Sequence, residues 1–165
     1  MNKKLFSLFA MLFIACLSFT SCSSDDDNGN DGDGNSNSNI VTVNTNKFKV
    51  ENDATVTYNA NNSTLVFESY LIQEDVEYMS MYDFAVRITG ISFNDLKKDA
   101  ELNVEVREYR DYTDIGSSYT FNVVSGKVTV SSISDKDVTL KFDKFKFTRD
   151  KGSYELNGYI NYKKN

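Results

Sequence analysis

The sequence predicts an all-β domain over residues 40–165, folded as a single antiparallel β-sandwich or barrel of about eight or nine strands. The first observation is that apolar and polar residues alternate with a period of two, which is typical of half-buried strands. The second is that runs of Asn, Asp, Ser and Gly separate these segments, while the chain contains no proline. A domain of about 126 residues is long enough to bury a hydrophobic core without disulfides or metals.

The chain begins with the three-part layout of a secretory signal peptide, which we assign to residues 1–21. The basic Lys3 and Lys4 precede an apolar run from Leu5 to Leu17, and mostly small polar residues follow that run. Spanning a bilayer takes about 20 apolar residues, so this run is too short for a stable transmembrane helix.

Thr20 and Ser21, directly before Cys22, resemble a bacterial lipobox, although Phe19 stands where Leu is usual. The resemblance implies that Cys22 becomes the mature N-terminus and carries acyl chains on its sulfur and its amine. Each buried methylene contributes about 0.8 kcal/mol, so more than one chain anchors a protein stably at a membrane. Because the other cysteine, Cys16, lies within the leader, the predicted domain has no disulfide, thiolate metal site or cysteine nucleophile.

Residues 22–39 form a predicted flexible tether. Apart from Cys22 they are only Ser, Asp, Asn and Gly, so the segment has no apolar side chain to offset the entropy of ordering. Ser24 followed by Asp25, Asp26 and Asp27 resembles the surface-export signal of Bacteroidota lipoproteins. The alternative interpretation is that this acidic run only solvates the tether.

A partial calcium-loop pattern also lies in this tether. Asp27 and Asp31 have the spacing of oxygen ligands, but Gly29 stands where a second ligand belongs. The twelfth position is Ser38, where a bidentate Glu is needed. We therefore predict no metal site there.

The alternating segments of the domain are clearest in Phe84–Ile88, Glu101–Arg107 and Tyr154–Tyr162. Between Val138 and Phe147 the pattern changes phase, which predicts a β-bulge near Asp143 and Lys144. The predicted turns are Asn44–Asn46, Asn59–Ser63, Ser125–Gly126, Ser134–Asp137 and Asp150–Ser153.

Two further local predictions concern a helix and the sheet edges. Residues Asn94–Ala100 are the one helix candidate, with Asn94 as its N-cap. Without prolines, exposed strand edges need lysines or bulges for protection, and Lys141, Lys144 and Lys146 are candidates for that role.

From Gly126 onward the sequence contains a G-x-V-x-V-x-S pattern, then V-x-L-x-F with aromatic residues, then L-x-G-x-I. This pattern resembles the C-terminal part of small Bacteroidota surface lipoproteins. The resemblance covers about the last 40 residues, most of which are residue types common in strands and turns. It implies a lipocalin-like or sandwich domain and no particular activity.

Composition excludes several classes of function. Without His the chain has no Ser-His-Asp system and no imidazole metal ligand, and we expect no cofactor. The formal net charge is −6, so the basic footprint of a nucleic-acid-binding protein is missing. Carboxylate-based glycoside hydrolysis remains open, because it needs only two well-placed Asp or Glu side chains. The available carboxylates are Asp83, Glu105, Glu108, Asp111 and Asp114, which also fit simple solvated charges.

The segment Arg107–Tyr119 is the richest candidate for ligand binding. Tyrosine rings can stack on sugar faces while carboxylates and Arg hydrogen-bond to hydroxyls. The candidate residues are Tyr109, Arg110, Asp111, Tyr112 and Tyr119. The alternative interpretation is a polar hairpin whose tyrosines cap the core. A second polar loop, Gln73–Met81, has acidic residues and is a candidate neighbour.

The sequence therefore predicts a lipid-anchored protein of the outer membrane, facing the cell exterior, with a non-catalytic role in binding a glycan or an outer-membrane protein. One alternative is a lipocalin-like carrier of a small apolar ligand, which needs a hollow barrel. The large inward residues Phe84, Phe121, Phe142 and Phe147 favour a filled core instead. The other alternative is the carboxylate-based glycosidase.

The lipid anchor is testable by metabolic labelling with a palmitate analogue. We expect the wild-type protein to incorporate the label and the Cys22→Ser variant to lose it, because the acyl chains attach at that residue. In-gel fluorescence after click chemistry measures the incorporation. Equal labelling of both proteins would contradict the assignment of Cys22.

Overall fold

The computed structural model describes residues 39–51, 53–73 and 80–165. It confirms the all-β prediction, because ten strands and a one-turn 3-10 helix, Phe93–Asp95, make up its regular structure. The predicted signal peptide, Cys22, the candidate export residues and nearly all of the tether lie outside the described residues. The strands are β1 (Ile40–Val43), β2 (Asn46–Val50), β3 (Thr55–Asn59), β4 (Thr64–Gln73), β5 (Met81–Thr89), β6 (Glu101–Leu102), β7 (Glu105–Asp111), β8 (Phe121–Ile133), β9 (Asp137–Arg149) and β10 (Gly152–Lys164).

Five strands close a barrel in the order β10-β1-β2-β4-β3, with β3 returning to β10. The closing pair, β3 with β10, is short and parallel, whereas the other barrel pairs are antiparallel. Side chains fill the barrel. Phe67 and Tyr162 are fully buried there, with ring centroids 5.1 Å apart in an edge-to-face contact.

The other strands extend the sheet from two barrel strands. From β4 the sheet continues through β5 to β7, and from β10 it continues through β9 and β8 to β6. The two extensions face each other across a second apolar layer, in which the Phe84 and Phe142 ring centroids are 5.7 Å apart. Phe84, Phe142 and Phe147 are buried, as predicted, while Phe121 is only partly buried.

Bulges in β8, β9 and β10 lie side by side. The register shifts between Ser125 and Lys127 on β8 and between Leu156 and Gly158 on β10. Both shifts leave out Lys144 of β9, which has a positive φ of 48°, so the bulge predicted near this residue is confirmed. Lys144 is left out of the strand pairing, and its backbone N–H donates instead to Asn157 Oδ1 at 2.7 Å.

The structure differs from the predicted elements in three places. The helix predicted at Asn94–Ala100 is wrong, because a single 3-10 turn starts one residue earlier with Ser92 as its cap. The segment Glu101–Arg107 is not one strand: β6 pairs with β8 and β7 pairs with β5, so the chain changes partners between them. The turn predicted at Ser125–Gly126 is instead the bulge within the continuous strand β8.

The lysines predicted to protect sheet edges lie elsewhere. Lys141, Lys144 and Lys146 are on β9, which pairs with β8 on one side and β10 on the other. Strand β9 is therefore internal, and these side chains do not guard an edge. Within the described part of the chain, no helix is long and apolar enough to span a membrane.

The close backbone approach at the bulges predicts a strong effect of added methyl groups. A Cβ at Gly126 would lie 2.0 Å from the Lys144 carbonyl oxygen, and one at Gly158 would lie 2.4 Å from the Ile40 carbonyl oxygen. Gly126→Ala and Gly158→Ala should each lower the free energy of unfolding by about 1–3 kcal/mol more than a backbone cost alone, because neighbouring strands must move apart.

The matched control is Gly116→Ala. Gly116 also has a positive φ, 88°, but an added Cβ there meets no atom within 4 Å. Gly116→Ala should therefore lower the free energy of unfolding only by the cost of a left-handed backbone for Ala, about 1–2 kcal/mol. Urea denaturation of the purified variants measures the three free energies, and equal losses at all three glycines would contradict the bulge argument.

Candidate functional site

Several strand ends meet at one end of the fold. Strands β1, β4, β7 and β9 finish there, and β2, β5 and β10 begin there, because neighbouring strands run antiparallel. Loops that join strand ends on a rigid scaffold commonly carry binding residues. Any ligand site at this end draws its side chains from segments that are far apart in the sequence.

A cleft of about 320 Å³ opens at this end of the fold. We call it the tyrosine cleft, after the tyrosines on β5, β7 and β10 that line it together with charged and amide side chains. Its principal residues are Tyr82, Tyr109, Asp111, Asp114, Arg149 and Tyr154. Asn46 and Gln73 line it from β2 and β4.

Tyr109 is a core residue that reaches the cleft only at its margin. Its side chain is 5% exposed, and its ring stacks on Tyr82 with a centroid distance of 5.4 Å. Burial raises the pKa of its hydroxyl, and the neighbouring Tyr82 and Tyr154 add to that effect. The prediction that Tyr109 offers a ring face to a ligand does not fit this burial, because the ring contacts Tyr82, Phe147 and Tyr154.

Tyr82 and Tyr154 supply the aromatic surface instead. Both are partly buried, and Tyr82 lies edge-on to Phe48 with ring centroids 5.7 Å apart. Tyr154 stacks on Phe147 at 5.5 Å. Each ring is held by the apolar layer behind it, so the surface that remains exposed in the cleft has a defined orientation.

Arg149, at the end of β9, connects the walls of the cleft. Its Nη1 donates to the Tyr109 carbonyl oxygen on β7 at 2.6 Å. Its guanidinium lies over the Tyr119 ring, 4.1 Å from the centroid, in a cation–π contact. One side chain thus joins β9, β7 and the loop that follows β7.

The loop after β7 is ordered by its own carboxylates. Asp111 Oδ1 accepts from the backbone N–H of Thr113 at 2.9 Å and from its hydroxyl at 2.7 Å. Asp114 accepts from the Ser117 hydroxyl at 2.6 Å and from the Tyr119 hydroxyl. These hydrogen bonds lower the pKa of both carboxyls, so both are ionised at neutral pH.

The remaining predicted ligand residues lie elsewhere. Arg110 points to the outer face of the sheet, where its Nε lies 2.5 Å from Glu108 Oε1 and 3.6 Å from Asp83 Oδ2. Tyr112 is exposed and makes an edge-to-face contact with Tyr70. The structure therefore brings Asp111 and the edge of Tyr109 together in the cleft, with Tyr119 behind Arg149. Arg110 reaches the same loop from the outer face, because its Nη1 donates to the Asp114 carbonyl oxygen at 3.0 Å, and it lines a separate depression with Tyr119. Tyr112 lies apart from these residues.

The outer face has its own depression, of about 310 Å³, which contains the candidate carboxylates Asp83 and Glu108. Burial raises the pKa of Asp83, and the Glu108 charge raises it further, while Arg110 lowers it. The third candidate, Glu105, is exposed and pairs with Arg87 at 2.7 Å. Of the predicted neighbouring loop Gln73–Met81, the structure describes only Gln73, Ser80 and Met81.

Sequence reasoning missed Tyr82, Tyr154 and Arg149. They lie on three strands, and all three are far in the sequence from the predicted ligand residues of the segment Arg107–Tyr119. One signal was present: Arg149 and Tyr154 flank a predicted turn, and Tyr82 follows a predicted polar loop. Comparison of the chain with protein-family models, curated proteins and solved structures gives no match.

The hydrogen bonds of the loop carboxylates lead to a prediction about their titration. We expect Asp111 and Asp114 to titrate below the usual Asp pKa of about 3.9, and Asp83 to titrate above it. For the lowered pair, the stability gained from the hydrogen bonds is complete above the unfolded pKa and is lost as the pH falls through the folded pKa. Carboxyl ¹³C NMR measures the three midpoints.

The Ser117→Ala variant provides the control for that titration. It removes a hydroxyl donor from Asp114 only, so the Asp114 midpoint should rise while the Asp111 midpoint stays in place. An Asp114 midpoint at or above 3.9 in the wild-type protein would show that the loop hydrogen bonds do not form in solution.

Proposed function

We propose that the protein is a lipid-anchored binding protein of the outer membrane, facing the cell exterior, whose domain binds a glycan in the tyrosine cleft without catalysis. The observation that carries the proposal is the cleft itself, where partly exposed Tyr82 and Tyr154 lie beside fixed polar side chains. The anchor and the location rest on the leader, Cys22 and the acidic run after it.

The lining of the tyrosine cleft suits a hydroxyl-rich ligand. Aromatic surface packs against the apolar faces of sugar rings, while amides and carboxylates exchange hydrogen bonds with hydroxyls. Among the described residues, nothing hydrogen-bonds to the side-chain amides of Asn46 and Gln73. These groups line the cleft and offer both donors and acceptors.

The size of the cleft favours a glycan over a protein partner. Its volume of about 320 Å³ lies at the lower end of the range for small-ligand sites. A stable protein interface buries about 800 Å² on each partner, which is far more surface than this cleft offers. The concave shape therefore supports a ligand of a few sugar units.

The filled barrel weighs against the carrier alternative. A lipocalin-like protein holds its apolar ligand inside a hollow barrel. Here Phe48, Phe67, Leu71 and Tyr162 are fully buried on barrel strands and occupy that space. The tyrosine cleft lies at the end of the fold and has a polar rim, which does not suit an apolar cargo.

The carboxylates of the outer-face depression, Asp83 and Glu108, are poorly arranged for glycoside hydrolysis. In a glycosidase the two carboxyls flank the scissile bond, one as acid and the other as base or nucleophile. Asp83 and Glu108 both approach the same guanidinium, Arg110, which holds Glu108 at 2.5 Å. A carboxylate bound in this way is a poor nucleophile or base, because the cation stabilises its charge.

The proposal predicts which tyrosines matter. Tyr82→Leu and Tyr154→Leu should each weaken binding of a glycan identified on an array by about tenfold or more, because the flat ring and its hydroxyl are lost while most apolar volume stays. Isothermal titration calorimetry measures the dissociation constants, and thermal unfolding verifies that the variants are folded.

Tyr112→Leu is the matched control. Tyr112 is 54% exposed and lies outside the tyrosine cleft, so its replacement should leave the affinity unchanged. If Tyr112→Leu abolished binding while the Tyr82 and Tyr154 variants retained it, the site would lie on the outer face and the assignment to the cleft would be wrong.

A further inference from the structure

We propose that the tyrosine cleft selects uncharged saccharides and rejects those that carry carboxylates, such as uronates. The inference rests on the proposed glycan-binding function and adds the charge class of the ligand. This charge selection follows from the contacts that the charged side chains of the cleft make within the protein. Among the described residues that line the cleft, those side chains are Asp111, Asp114 and Arg149.

Arg149 is the one cation in this set, and its contacts within the fold fix the position of its guanidinium. Its Nη1 donates to the Tyr109 carbonyl oxygen, and its guanidinium plane covers the Tyr119 ring. Its charge also helps to lower the pKa of Asp114. Turning the guanidinium toward an incoming carboxylate would break the hydrogen bond to Tyr109 that joins β9 to β7.

Asp111 presents an unshared carboxylate oxygen. Its Oδ1 accepts both hydrogen bonds from Thr113, and none of the described residues donates to Oδ2. An ionised carboxylate is an acceptor only, so its natural ligand partner is a donor such as a sugar hydroxyl. A carboxylate on the ligand brings a second acceptor and a like charge to the same place.

The charge balance of the cleft points in the same direction. The charged side chains that line the cleft, two ionised Asp carboxylates and the Arg149 guanidinium, carry a net charge of −1. Arg110, which reaches the Asp114 carbonyl oxygen from the outer face, is itself paired with Glu108. The amides of Asn46 and Gln73 add hydrogen-bonding capacity without charge. Hydroxyl groups fit this set of acceptors and donors, whereas an added negative charge meets net repulsion.

The test compares matched ligands on the full-length protein. The probes are an array of neutral oligosaccharides and the same oligosaccharides oxidised at C6 to uronates, followed by calorimetry on the neutral binders. We expect each neutral binder to bind about tenfold or more tightly than its oxidised counterpart in low salt, and the difference to shrink in 0.5 M salt.

Asp111→Asn tests the origin of the discrimination. Asn keeps an oxygen that can accept from Thr113, so the loop can stay folded while one negative charge is removed. The preference for the neutral ligand should fall by severalfold in this variant. Asp135→Asn makes the same charge change on an exposed residue at the opposite end of β9, and it should leave the preference unchanged.

The outcomes separate this inference from the function on which it rests. Equal or tighter binding of the oxidised ligands overturns the charge selection and leaves glycan binding in place. An unchanged preference in Asp111→Asn overturns the role of that carboxylate. Binding of neither set of saccharides contradicts the proposed function itself, and the inference fails with it.

Discussion

The fold depends on two close backbone approaches, one between β8 and β9 and one between β10 and β1. Gly126 lies against the Lys144 carbonyl and Gly158 against the Ile40 carbonyl, at distances that no Cβ could occupy. The bulges there interrupt strands of 13 residues, each about 43 Å long if straight, and a bulge bends the strand that contains it. Strand β10 pairs with the barrel strand β1 and also carries Tyr154 into the cleft.

The fold class and the β9 bulge could be predicted because both leave a local trace in the sequence. Alternation with a period of two reports a half-buried strand, and a phase change such as that at Lys144 reports an extra residue. The prediction of a turn at Ser125–Gly126 was wrong for a related reason. A glycine with positive φ serves a bulge as well as a turn, and only the partner strand distinguishes the two. Likewise, the alternation across Glu101–Arg107 is continuous although the hydrogen-bonding partners change within it.

The candidate site could be predicted only in part, because neighbours in a strand lie on opposite faces of the sheet. Tyr109 and Asp111 face the interior and the cleft, while Arg110 and Tyr112 face outward. A cluster of five ligand-type residues in the sequence is therefore divided between two faces, and Tyr119 contacts Arg149 while it also shares a depression with Arg110. The members that complete the cleft come from other strands, and their meeting at one end follows from the sheet order, which a single sequence does not encode locally.

Arg149 explains how a cleft can keep its shape at the seam of this sheet. In the described part of the chain, no backbone ladder joins β7 to β8, the strands at which the two extensions of the sheet come together. Arg149 bridges that seam from β9, through the Tyr109 carbonyl and the Tyr119 ring. The walls are thereby held at a set separation by the fold itself, so the proposed binding would carry no entropic cost for ordering them. The same contacts that close the fold at this point also hold the Arg149 guanidinium in the wall of the cleft.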